Sequence, residues 1–179
     1  MAEQYTYDNL KNNAFAVRID RIPQTMFRVV SGDIPAITIP AAEAQFPGVD
    51  QYFSGTKVVF EDLIVEFIVD VDMKNYEEIY HWITQQKYAV SNKEFDSKND
   101  NEDALYSDGV FIIMNSSSNP HRVFSFKEMF PVSLGSLHFD TSITEPQPVQ
   151  CTVTFKYSRF ELKPIDTIKG IQIPNQVAP

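Results

Sequence analysis

Histidine, cysteine and grouped carboxylates supply most catalytic sites, and here they are few and scattered. His81, His121 and His138 stand in unrelated contexts. No pair has the i, i+4 spacing by which a helix presents two metal ligands. His81 falls one position past a helical apolar stripe and reads as an exposed helical residue. Glu66, Asp70 and Asp72 share one face of a strand and could in principle hold a hard cation. No glycine-bearing loop encloses them, so they read as a solvated or interface-facing acidic edge. Cys151 alternates with Val149, Val153 and Phe155, which turns it inward as a small hydrophobe. A single cysteine excludes an intramolecular disulfide and a cysteine-rich zinc site. Glycine-rich phosphate loops, G-x-S-x-G elbows and paired-cysteine motifs are missing. The sequence offers no support for catalysis, and no metal or cofactor is expected.

Two other patterns suggest surfaces rather than reactions. From Val149 to Ser158 the chain alternates, with Val149, Cys151, Val153, Phe155 and Tyr157 on one side. Gln150, Thr152, Thr154, Lys156 and Ser158 take the other, the only long uninterrupted polar face in the chain. The second pattern is the connection Ala41 to Lys57, with turn marks at Pro47-Gly48 and Ser54-Gly55 and the aromatics Phe46, Tyr52 and Phe53 near its apex. A connection this long without structure usually signals function or an external partner. The other reading is an ordinary hairpin whose aromatics fold back on the core.

The elements that hold these patterns are mostly strands. Phe15, Val17 and Ile19 alternate with polar neighbours up to Pro23. Met26 to Val30 predicts a second strand, ending at the turn Ser31-Gly32-Asp33. Val58 to Val71 is the strongest strand and is apolar on both faces, which implies cover on both sides from a helix or another subunit. A helix is expected over 74–87, capped by Asp72 or Asn75, with Tyr76, Ile79, Tyr80 and Ile83 on its buried face. The stretch 93–108 carries six carboxylates against two lysines and reads as a solvated acidic loop. Strands follow at Val110 to Met114 and Arg122 to Phe126, then an irregular segment from Phe130, then the alternating strand above. One helix cannot supply parallel crossovers, so the expected fold is an antiparallel β-sandwich or barrel of six or seven strands with a packed helix.

Composition sets the remaining bounds. The 179 residues are 43% hydrophobic and 22% charged, which fits one globular domain. No apolar run approaches the roughly 20 residues of a membrane helix, and MAEQYTYDNLKNN lacks the marks of a signal peptide, so no membrane anchor is expected. A net charge of −9 makes tight nucleic-acid binding improbable, yet suits a surface that DNA passes without sticking.

Several stretches resemble the tail tube proteins of contractile-tailed, T-even-type bacteriophages. They are N-A-F-A-V-R-I, Asn13 to Ile19; the S-x-x-I-P segment, Ser31 to Pro35; and S-G-T-K-V-V-F-E-D-L-I-V-E-F-I-V-D, Ser54 to Asp70. The helix N-Y-E-E-I-Y-H-W-I, Asn75 to Ile83, and the segment F-K-E-M-F-P-V-S-L-G-S-L-H-F-D, Phe126 to Asp140, with the strand after it, follow in the same order. The resemblance covers about 15–162. It implies a non-enzymatic, self-assembling virion subunit of the inner tail tube. Such subunits form hexameric rings that stack inside a sheath, each giving strands to one continuous inner β-barrel that carries the genome. The implied partners are further copies, sheath and baseplate proteins, and DNA in transit. The implied location is the virion, assembled in the host cytoplasm.

On that reading the domain spans 14–162, with arms at 1–13 and 163–179 and a stacking loop at 41–57. Candidate inter-ring contacts are Phe46, Tyr52, Phe53 and Lys57. Candidate lumen residues are Gln150, Thr152, Thr154 and Lys156, with Glu66 and Asp70 supplying negative potential. Alternation alone leaves open whether this face meets the channel or the outside. The alternatives are a tube-initiating baseplate protein, the inner tube of a type VI secretion or phage-like particle, or a monomeric β-sandwich that captures cations or a basic ligand on its acidic loop.

Overall fold

The computed structural model describes residues 9–23, 25–87, 105–142, 144–145 and 147–164. In chain order the elements are β1 (Phe15–Ile19), a 3-10 turn (Thr25–Arg28), β2 (Val29–Asp33), β3 (Ile37–Thr38), β4 (Ala41–Phe46), β5 (Val49–Ser54) and β6 (Val59–Phe60). They continue with β7 (Leu63–Ile68), α1 (Lys74–Lys87), β8 (Ser107–Met114), β9 (Pro120–Leu134), β10 (Gln150–Lys156) and β11 (Arg159–Pro164). The fold is mainly β, and each strand pairing among the described residues is antiparallel.

The main sheet runs β1-β8-β9-β10-β7-β2, with β11 also on β9. β9 turns this one path into two layers. Its residues 122–127 lie between β8 and β11, whereas 130–134 pair with β10 alone. Between these halves Glu128 adopts φ 53, a left-handed conformation that costs a non-glycine residue about 1–2 kcal/mol. The bend is clamped from β8, where the Asp108 carboxylate accepts hydrogen bonds from Lys127 Nζ and the Glu128 backbone N–H. Gly109 makes room for it, since a Cβ there would lie 2.5 Å from Met129 Sδ.

The layer β1-β8-β9-β11 faces the layer β9-β10-β7-β2 across one core. Val17, Ile19, Phe111 and Phe126 from the first meet Val65, Phe67, Val153 and Phe155 from the second, all buried. Each such aromatic contributes roughly 1.5–3 kcal/mol by leaving water. α1 closes one side of the core through Ile79 and Trp82, and the Trp82 indole N–H donates to Leu105 O at 2.9 Å. Asn75 fastens the helix to the end of β7: its Oδ1 accepts from the Asp70 backbone N–H, and its Nδ2 donates to Ile68 O.

Several sequence expectations change. Met26 to Val30 is a 3-10 turn leading into β2, because the Thr25 N–H bonds Ile22 O and tightens the chain behind Pro23. Val58 to Val71 is two strands, β6 and β7, broken at Glu61 and Asp62. The segment from Phe130 continues β9 as far as Leu134. Pro131 is tolerated because 130–134 form an edge, where no second partner needs its N–H. The buried helix stripe is rotated from the expected one: Asn75, Ile79 and Trp82 face the core, while Tyr80 is half exposed. β11 runs through Pro164, so the arm placed at 163 begins inside a strand. Ala41 to Lys57 is not structureless, since 41–54 form the two-stranded hairpin β4–β5. Residues 93–104 of the acidic loop, and most of both arms, lie outside the described residues.

Candidate functional site

The outer face of the β9-β10-β7-β2 layer gathers most of the candidate lumen residues. Along β10, Cys151, Val153 and Phe155 are buried while Gln150, Thr152 and Lys156 are exposed. Register puts Thr152 opposite Glu66 and Thr154 opposite Ile64 on β7. β7 shows the same alternation, with Leu63, Val65 and Phe67 inside and Ile64 exposed. One layer thus buries one side and leaves a side rich in hydroxyls uncovered.

The charges on this face divide into a pair and two carboxylates without a basic partner among the described residues. Lys156 Nζ donates to Asp62 Oδ1 at 2.6 Å, so the one lysine of the strand is matched by a carboxylate. Ser31 Oγ on β2 donates to Glu66 Oε2 at 2.9 Å. Asp33 on β2, opposite Ile64 in the ladder, adds a second carboxylate beside Glu66 of β7. Neither Glu66 nor Asp33 has a basic partner among the described residues. Asp70 is placed differently from expectation: it lies beyond the end of β7 and pairs with Arg28 at 2.7 Å. Asp72 pairs with Lys74 instead. Only Glu66 lies on the strand, so the three acids expected to share its face have separate partners and positions instead. Among the described residues no three histidine, cysteine or acidic side chains are grouped to hold a metal ion. Ser31, Asp33 and Asp62 were not among the sequence candidates. The alternation of Ser31 and Asp33 about Gly32 was their one signal, and the turn-like composition masked it.

The hairpin β4–β5 carries the other candidates. Tyr52 and Phe53 are 68% and 54% exposed, so they do not fold back on the core. Phe46 pairs with Val49 beside the Pro47-Gly48 turn, where Gly48 has φ 97; the Phe46 side chain lies outside the described ones. Lys57 is exposed between β5 and β6. At the base, a Cβ on Gly55 would sit 2.0 Å from Pro40 O, so only glycine lets the two chains pass there.

Residues 10–163 match the family described as Phage tail tube protein. The chain belongs to that family. Its fold is also that of tube-containing assemblies solved elsewhere. A chain in the PVC sheath-tube complex of an extracellular contractile injection system is 16% identical, with TM-score 0.62 over 88% of this chain and 93% of that one. A chain in the cap of the anti-feeding prophage is 17% identical, with TM-score 0.61 over 92% and 95%. The Hcp1 protein of E. coli EAEC 042 is 8% identical, with TM-score 0.53 over 86% and 93%. No curated protein matches the chain. This tail tube protein is thus a structural component of a tail or tail-like particle.

Cys151 is buried 3.4 Å from Gly135 O, and burial pushes its thiol pKa up, away from the reactive thiolate. His81 on α1, His121 on β9 and His138 in the connection after β9 are all exposed.

Proposed function

We propose that this tail tube protein is the repeating, non-enzymatic subunit of the inner tube of a contractile particle. In this reading copies join side by side into rings, the rings stack, and the open face of the β9-β10-β7-β2 layer lines the channel. The observation that carries it is the pair of unused edges on that layer. Among the described residues, β2 has no second neighbour and 130–134 of β9 have none beyond β10. The four strands alternate in direction, so β2 runs antiparallel to β9. A copy generated by rotation about an axis along the strands would therefore pair its β9 with the first copy's β2 without breaking the alternation. Continued around a ring, this pairing leaves that layer no exposed edge.

A wall of threonine, serine and glutamine with Glu66 and Asp33, whose one lysine, Lys156, is paired with Asp62, gives phosphate backbones little to grip, which suits transit of DNA. The hairpin β4–β5, with the connection on to Lys57, makes contact with the next ring, and the segments before β1 and after β11 act as assembly arms. Six copies per ring, an enclosing sheath, a baseplate and assembly in the host cytoplasm complete the reading. Purified protein examined by negative-stain microscopy tests it. Rings or hollow tubes are expected, and a monodisperse 20.5 kDa monomer at all concentrations would refute it.

A further inference from the structure

The hairpin β4–β5 has two chemically different sides, and the cross-strand register sorts them. Directly opposed residues share a face, and successive pairs alternate. Ala42 opposes Phe53 and Ala44 opposes Gln51, with Val49 on the same side nearer the turn. The other side holds Ala41 opposite Ser54 and Glu43 opposite Tyr52, with Asp50 beyond. Adjacent in sequence, Tyr52 and Phe53 therefore point in opposite directions. Both sides are bare: Val49 is 69% exposed, Phe53 54% and Tyr52 68%. An isolated two-stranded hairpin is marginal in water and cannot cover its own apolar side.

We infer that the Ala42–Ala44–Val49–Phe53 side seats on a second copy of this chain, while the Glu43–Asp50–Tyr52 side stays in water. The inference rests on the ring-stacking reading above and assigns that contact to one face. The ring-stacking reading supplies the occupant, a second copy, and charge selects the face. Each copy carries a net −9, so the side bearing Glu43 and Asp50 repels another copy, whereas the opposite side has no ionisable group among the residues named. An apolar strip containing an aromatic anchor is what a self-contact between like-charged subunits can use.

Ala41 and Ala42 are consecutive, both exposed and on opposite faces, so a matched pair of substitutions separates the sides. Wild type, A41D and A42D would be compared as full chains for the subunit concentration needed to form sedimentable tubes, with circular dichroism of the free subunits as a folding control. A42D should raise that concentration by at least about tenfold and A41D by less than about twofold. F53S should follow A42D, and Y52S should follow wild type. Equal effects of A41D and A42D, or wild-type assembly by F53S, would overturn the face assignment while leaving the tube reading intact. Absence of tubes from the wild type would overturn both.

Discussion

Tyr157 shows how single residues set the conditions under which this domain holds. Its hydroxyl donates to Glu61 O at 2.7 Å, and its ring lies in a cluster with Phe60, Phe126 and Phe160. Burial first, then the charges of Asp62 and Glu61, push its pKa from 10.0 up to about 12. A phenol that resists ionising in the folded state contributes stability that is fully present below pH 10. That contribution falls as pH rises toward 12, because the unfolded chain gives up the proton first. Urea midpoints measured across that window should decline in the wild type and decline less in Tyr157→Phe. Thr25 makes the opposite case. Its Oγ1 is buried without a hydrogen-bond partner among the described residues, beside an apolar cavity lined by Val17, Ile22 and Val29. Thr25→Val removes the unsatisfied hydroxyl at nearly constant volume, so unfolding free energy should rise by about 1 kcal/mol in denaturant titration.

Elements were legible wherever local pattern and tertiary role agree. α1 runs over Lys74–Lys87 as expected, and β10 alternates as written in its residues. Legibility failed where the structure depends on distant partners. β9 continues through Pro131 because that half is an edge, a fact about neighbours rather than sequence. Glu128 at the bend carries no local sign of its left-handed backbone; the clamp that holds it, Asp108, lies on another strand. The open sheet face was only half visible, since β10 displays it plainly while β2 contributes Ser31 and Asp33 through a ladder with β7. Trp82 lies outside the expected stripe of Tyr76, Ile79, Tyr80 and Ile83 and proves central because Leu105 and Phe155 come to meet it. At the hairpin base, Gly55→Ala would drive a Cβ against the Pro40 carbonyl, where backbone rather than a pliable side chain must yield. The free subunit should melt within about 2 °C of wild type, since the core is untouched, yet tube formation should be lost. Normal tubes from that variant would show that the hairpin's seating does not matter.

At the scale of the whole molecule, the proposed tube subunit separates its tasks by surface. The core between the layers supplies stability, the two free edges of one layer are proposed to supply the ring contacts, and that layer's uncovered face is proposed to supply the channel wall. The most direct test labels that face in assembled tubes. Thr154→Cys introduces a thiol on β10, and the native Cys151 contributes little background because it is buried. Glu77→Cys, on the exposed side of α1, serves as the outer control. Free subunits of both variants should react with a small maleimide and with one tethered to a large polymer. In tubes, Thr154→Cys should still react with the small reagent and exclude the polymer-tethered one, while Glu77→Cys reacts with both. Equal reaction of Thr154→Cys with both reagents in intact tubes would place this sheet face on the outside and contradict the account.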